Sequence, residues 1–183
     1  CGVMAESMLA GLLKKGLVSA EQIVASHPRE NRRRELSEKY KIEVFAENSE
    51  AVEKIRDEEN SIVILCVKPQ RIKGVLQELK GVVLSEQLIL SIVAGAKIST
   101  ISKVLGNEKV VRTMPNTPSQ IGHGITAWTC TEKVSDTGRE QVKSLLTALG
   151  HELFVETENM IDMATSLSAT GPGEKRTVRV SVL

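Results

Sequence analysis

The residues of this 183-residue chain that could do chemistry fall in short stretches where small or rigid residues stand beside polar or cationic ones. Gly2-Val3-Met4-Ala5 opens a helical pattern, and Ser26-His27-Pro28-Arg29 offers a hydroxyl, an imidazole and a guanidinium. Asn48 precedes a helix. Cys66-Val67-Lys68-Pro69 ends an apolar run, Ala94-Gly95 follows another, and Met114-Pro115-Asn116-Thr117-Pro118 sets an amide and a hydroxyl between two prolines. A glycine before a helix lets an anion approach the unpaired N–H groups of the first turn. A hydroxyl, imidazole and guanidinium together suit a phosphate. This is chemistry of binding and orientation, and no catalytic acid, base or nucleophile is identified. His123 and His151 have no partner at metal or general-base spacing and read as surface or loop residues. Cys1, Cys66 and Cys130 lack metal-ligand spacing, and their odd number argues against a disulfide framework and for a reducing compartment.

Strands and helices must alternate to bring such stretches together. Met8, Leu9, Leu12 and Leu13 recur at helical spacing over 4–15, with Gly16 placed to end the helix. A short strand at 22–25, a helix from near Pro28 through 30–40, and a strand at 42–45 follow. Ser49 is placed to cap a helix reaching about 57, and Asn48 shares that capping chemistry. The uninterrupted run 61–67 predicts a strand buried on both faces. Helix 71–79, strand 88–93, helix 98–105, strand 110–113, a strand near 124–128, helix 135–149 and strand 152–155 continue the alternation. That order predicts an α/β fold with a doubly wound, mostly parallel sheet.

In such a sheet ligands bind at the carboxyl ends of the strands. A dinucleotide fold needs a strand, then G-x-G-x-x-G/A, then a helix. Gly2-Val3-Met4-Ala5 matches only the second half, so the first glycine and the first strand are expected before residue 1. The end of the second strand lacks the carboxylate that usually binds a ribose 2'-hydroxyl. With Ser26, His27 and Arg29 there instead, the segment favours NADP, and Glu30 nearby keeps NAD open. Arg32, Arg33 and Arg34 fit either an exposed helix face or a phosphate contact. Ala94-Gly95 fits either a tight turn or a close approach to a nicotinamide.

Taken jointly, these segments resemble the pyrroline-5-carboxylate reductase family. Gly2-Val3-Met4-Ala5-Glu6 is similar to its G-x-G-x-M-A-E, and Val67-Lys68-Pro69 to its V-K-P. Val93-Ala94-Gly95 with Ile98 is similar to A-A-G-x-x-I, and Arg112-Thr113-Met114-Pro115-Asn116-Thr117-Pro118 to R-x-M-P-N-T-P. Order and spacing agree over about residues 1 to 172.

The resemblance implies a Rossmann-like domain over 1–156, the start of a helical dimerisation domain over 157–172, and a divergent tail over 173–183. It implies NADP or NAD at Gly2, Val3, Met4, Ser26, His27, Arg29, Asn48, Cys66, Val67, Lys68, Pro69, Ala94 and Gly95, with Asn48 on the adenosine side and Cys66, which reads by itself as a core residue, where the family often has a small residue beside the cofactor. Met114, Pro115, Asn116 and Thr117 would lie near the nicotinamide or substrate. The implied reaction is reduction of pyrroline-5-carboxylate to proline, in homodimers and larger oligomers assembled through the helical domain. After Leu167-Ser168-Ala169-Thr170-Gly171-Pro172 the sequence leaves the family pattern, so that domain is expected to be absent and this chain alone inactive. A non-catalytic form keeping part of the cofactor site is the alternative. Another reductase of the same fold is a further one, which the M-P-N-T-P loop argues against.

Composition agrees with a soluble globular protein, with 41% hydrophobic and 26% charged residues. Its net charge of +1 provides no broad basic field, which argues against nucleic acid and anionic lipid. The longest apolar stretch, 62–67, is too short to span a bilayer. No metal is expected. The expected compartment is the cytoplasm, with mitochondrion and plastid left open because the chain starts at Cys1 rather than Met.

Overall fold

The computed structural model describes residues 2–115 and 124–168. Helix α1 (Val3–Lys14) buries Met8, Leu9 and Leu12 and gives way to Gly16 at φ +63. A 3-10 turn (Ala20–Gln22) precedes β1 (Val24–Ser26). The strand starts later than its sequence pattern predicts because Gln22 is used in a cap, its Oε1 accepting the Ser19 N–H at 2.9 Å. Helix α2 (Glu30–Tyr40) begins two residues after Pro28, with Arg29 as its N-cap, and ends at Lys41 in the left-handed region. Then come β2 (Glu43–Phe45), α3 (Asn48–Lys54), β3 (Ile62–Leu65), α4 (Ile72–Glu78), β4 (Leu88–Ser91) and α5 (Ile98–Leu105). The last elements are β5 (Val110–Pro115), β6 (Gly124–Cys130), α6 (Asp136–Thr147), β7 (Gly150–Phe154) and α7 (Glu158–Ser168).

The strands form two sheets: β1 paired in parallel with β2, and β3-β4-β5-β6-β7 in that order. All pairs in the larger sheet are parallel except β5 with β6, where Val111 faces Cys130 and Pro115 faces Thr126. Among the described residues no strand joins β1 to β3, and this break falls where the sequence reading places an absent strand. With a strand neighbour on one side only, β3 is not buried on both faces as its apolar run predicts. Val63 and Leu65 are buried, whereas Ile62 and Ile64 are half-buried.

Period-two alternation divides the larger sheet between two cores. On one face Leu88, Leu90, Val111 and Trp128 pack with Met8 and Leu12 of α1 and with Val142 and Leu146 of α6. On the other, Val63, Leu65, Ile89 and Val110 meet Leu76 of α4, Ile101 and Leu105 of α5, and Val52 of α3. Helices thus cover both faces, and burying each such aliphatic side chain contributes about 1.5–3 kcal/mol. Helix α7 packs against β5 and β6. Gly11 lets α1 approach the end of α6, since a Cβ there would lie 3.0 Å from the Ala148 carbonyl oxygen. No helix among the described residues is long and apolar enough to cross a membrane.

Two carboxylates tie the smaller sheet's helices to the rest. Glu78 at the end of α4 accepts the Asn48 and Ser49 N–H groups at 2.7 and 3.1 Å on Oε1, and the Asn48 side-chain amide at 2.7 Å on Oε2. Its charge sits at the start of α3, where the helix dipole favours it. Asn48 and Ser49 are therefore capped rather than capping, and the N-cap is Glu47. Glu6 in α1 accepts from Lys39 at 2.9 Å, from the Tyr40 hydroxyl at 2.8 Å, and from the Arg32 guanidinium, so it joins α1 to both ends of α2.

Those bonds, that from Lys39 first, hold the Glu6 carboxyl at about 2 against an ordinary 4.5. A depressed carboxylate pKa stabilises the fold fully above the ordinary value and loses that contribution as pH falls through the folded value. At about 1.4 kcal/mol per pKa unit, discounted for partial exposure, Glu6→Gln should cost roughly 1–3 kcal/mol at pH 7. Chemical denaturation of both proteins should show the gap narrowing between pH 4.5 and pH 3. An equal gap at neutral and acid pH would show that the charge of Glu6 is not its source.

Candidate functional site

Parallel β3, β4 and β5 deliver their carboxyl ends to one edge, and each leaves it through a different device. After β3, Lys68 is extended (φ −62°, ψ 144°) and a 3-10 turn Pro69–Arg71 follows, with the Arg71 N–H bonded to the Lys68 carbonyl at 2.8 Å. Lys68 is exposed and makes no ion pair among the described residues. Val67 packs onto the core. Burial pushes the Cys66 thiol up to about 12, which disfavours its thiolate.

After β4 the Ala96 N–H bonds to the Val93 carbonyl at 3.2 Å across Ala94 and Gly95. Gly95 has φ +73°, a conformation that costs other residues about 1–2 kcal/mol, so the turn itself accounts for the glycine. A Cβ there would meet nothing within 4 Å, which leaves open space beyond the turn. Ala94 and Met114 are half-buried and Pro115 is buried at the end of β5. Thr113 donates its hydroxyl to the Ser91 carbonyl at 3.3 Å, tying β5 to β4. Asn116 and Thr117, like His123 and Cys1, lie outside the described residues.

The end of β1 is a loop fixed by its own bonds. The Ser26 hydroxyl donates to Asn48 Oδ1 at 2.7 Å, and the His27 N–H bonds to the Phe45 carbonyl at 3.0 Å. Both ends of the Asn48 amide are thus engaged by protein, one by Ser26 and one by Glu78. His27 Nδ1 accepts the Arg29 N–H at 3.1 Å, which places the proton of a neutral imidazole on Nε2. Burial first, then the charges of Arg29 and Arg32, hold the His27 pKa below its usual value. Arg33 donates to the His27 and Pro28 carbonyls at 3.0 and 2.9 Å, Arg32 pairs with Glu6 and Glu35, and Arg34 pairs with Glu30 at 3.2 Å. These three arginines are therefore spent within the protein. Arg29 is exposed, and its guanidinium has no hydrogen bond or ion pair among the described residues.

At the start of α1, Gly2 is the N-cap in extended conformation, and the first intrahelical bond runs from the Glu6 N–H to the Gly2 carbonyl at 2.9 Å. The amides of Val3, Met4 and Ala5 consequently have no intrahelical partner. A Cβ on Gly2 would meet nothing within 4 Å; Val3 is exposed and Met4 half-buried. The Glu6–Arg32 pair sets this turn beside the start of α2. Unpaired helix amides, an imidazole donor and a free guanidinium fit the phosphates of a dinucleotide. A shallow cavity of about 260 Å³ lined by Arg56, Glu58, Ser61, Gln87 and Lys109 lies instead where β3, β4 and β5 begin, the edge away from the ligand-binding ends. No cluster among the described residues could hold a metal ion.

Sequence reasoning named Glu6 and Arg112 only as motif members and did not single out Glu78 or Glu158, so the bracing role of all four was missed. Arg112 is the largest fully buried side chain among the described residues and pairs with Glu158 and Asp162 of α7. A partner 30 or 46 positions away leaves no local spacing to read.

Residues 1–95 match the family described as NADP oxidoreductase coenzyme F420-dependent. The pyrroline-5-carboxylate reductase of Pseudomonas aeruginosa is 38% identical over 172 residues, covering 93% of this chain and 61% of that protein; that of Synechocystis is 33% identical over 171 residues with the same coverage. The structure of the Coxiella burnetii pyrroline-5-carboxylate reductase superimposes with a TM-score of 0.83 at 30% identity, covering 93% of this chain and 62% of that one. That of Plasmodium falciparum, with NADP bound, shares the fold at a TM-score of 0.75 and 24% identity, covering 91% of this chain and 59% of that one. This chain spans about 61% of the length of the curated relatives. It belongs to the NADP oxidoreductase coenzyme F420-dependent family, and over 93% of its length it is similar to pyrroline-5-carboxylate reductases.

Proposed function

We propose that this domain holds a nicotinamide dinucleotide, NADPH in preference to NADH, along the carboxyl edge of its strands, and serves the reduction of 1-pyrroline-5-carboxylate to L-proline. The observation that carries the cofactor choice is the Arg29 guanidinium, without a hydrogen bond or ion pair among the described residues, beside the His27 imidazole, with the Glu30 carboxylate engaged by Arg34. Arg29 and the His27 Nε2–H would meet the 2'-phosphate, and the Val3 and Met4 amides the pyrophosphate. Ser26 and Asn48 would act by framing the adenosine side, since their polar groups are engaged.

Lys68 and Pro69 would line the middle of the cofactor, with Cys66 and Val67 as neutral packing behind them. Ala94 and Gly95 would leave room for the nicotinamide, and Met114, Pro115, Asn116 and Thr117 would border it and the substrate. When bound, the reduced cofactor supplies a hydride to the imine carbon, while the ring nitrogen ends protonated. The chain's own contribution is position and the exclusion of alternatives, the part the protein plays in cofactor enzymes generally. The small-molecule substrate, proline as product and assembly into oligomers are carried over from the named relatives.

Titration with NADPH and NADH tests the cofactor choice. A charge-assisted phosphate contact is worth about 1.5–3 kcal/mol, so NADPH should bind roughly tenfold or more tightly, and Arg29→Glu should narrow or reverse the difference. Equal affinities in the wild type would remove the NADP assignment. NADPH oxidation in the presence of the cyclic imine tests the reaction separately, since binding without turnover would keep the cofactor and discard the activity for this chain.

A further inference from the structure

The turn that carries Gly95 is anchored at both ends. On the β4 side the Ala96 N–H bonds to the Val93 carbonyl. On the α5 side the Ile98 N–H bonds to Glu158 Oε1 at 2.9 Å, although Glu158 is 60 positions away at the start of α7. Ile98 opens α5, its N–H has no intrahelical partner, and its N-cap Lys97 makes no side-chain cap. The same Glu158 oxygen accepts from Arg112 Nη1 at 3.0 Å. Arg112 is opposite Ser91 in the β4–β5 register, and its side chain is 2% exposed. A guanidinium so buried must keep an anionic partner. It holds two on successive turns of α7, Glu158 and, at 2.5 Å from Nη2, Asp162.

We propose that Glu158 is a positioning residue that fixes the Gly95 turn from α7, and that the buried Arg112 guanidinium holds Glu158 to that task. This rests on the cofactor reading, which puts the nicotinamide half of the cofactor against that turn. Helix α7 is thereby coupled to the nicotinamide position and not to the 2'-phosphate loop, which is held by Glu6, Asn48 and Arg33. A shift of α7 would move the Gly95 turn while leaving the adenosine side in place.

The test uses the full 183-residue chain with Glu158→Ala and Glu158→Gln. Alanine removes the acceptor for the Ile98 N–H but leaves Asp162 on Arg112, so the guanidinium stays paired. Glutamine keeps a neutral acceptor. Each protein is titrated with NADPH and with 2'-phospho-ADP-ribose, which lacks the nicotinamide. Glu158→Ala should weaken NADPH about tenfold and leave the shorter ligand within about twofold, and Glu158→Gln should recover most of the loss. In the ligand-free protein, deuterium exchange at the Ile98 amide should speed up in the alanine variant. Equal losses for both ligands would mean general destabilisation, and unchanged NADPH affinity or Ile98 exchange would mean no positioning role; each overturns the proposal while the cofactor reading stands. A wild type that binds neither ligand overturns the cofactor reading and this inference with it.

Discussion

Parallel pairing of β3, β4 and β5 is the constraint on which the candidate site depends. Parallel neighbours cannot be joined by tight hairpins, so each strand must leave the same edge and return across a face. The exits are consequently stacked side by side: the Lys68-Pro69 turn, the Gly95 turn and the end of β5. The antiparallel β6 does not disturb this, because it adds beyond β5 on the far side of the exits of β3 and β4. Two cores pack the sheet between α1 and α6 on one face and α4 and α5 on the other, which leaves the edge as the place where backbone amides and side chains remain available.

Charge is divided between groups that build the frame and groups left for a ligand. Glu6 and Glu78 each collect several donors from one neighbouring helix, α2 and α3 respectively, and Glu158 collects donors from α5 and β5, so each carboxylate pairs amides or cations of another element. Arg32, Arg33, Arg34 and Arg112 serve the same frame. At the carboxyl ends of the strands, Arg29 and Lys68 are exposed cations without an ion pair among the described residues, and the His27 imidazole, its pKa held below the usual value by burial, lies beside Arg29. A frame that neutralises itself lets a few free cations set the local field, whereas the chain as a whole is nearly neutral.

The alternation of elements was legible in the sequence because hydrophobic period is a local property. Helices 30–40 and 98–105 stand where their patterns put them, and Ser135 caps α6 with Gly138 N–H on its hydroxyl. Misreadings came from competing local bonds, as where the Ser19–Gln22 cap delays β1, and from missing neighbours, as where β3 stays half-buried. At the candidate site, the polar loop after β1 was legible from residue types, but the division of labour among its arginines was not. Arg29 and Arg32 look alike in sequence, and what separates them is that Arg32 pairs with Glu35 on its own helix and with Glu6, 26 positions away. Asn48 read equally as cap or ligand contact, and Glu78 turned it into a brace.

The central claim is that a nicotinamide dinucleotide lies along the carboxyl edge of these strands, with its 2'-phosphate at His27 and Arg29 and its nicotinamide at Gly95. The most direct measurement is the set of backbone amide shifts that NADPH induces in a two-dimensional NMR spectrum of the protein. The account predicts shifts at Val3, Met4, His27, Arg29, Lys68 and Gly95 together, with Arg56, Ser61 and Lys109 at the opposite edge unmoved. Shifts confined to that opposite edge, or none at saturating NADPH, would contradict it.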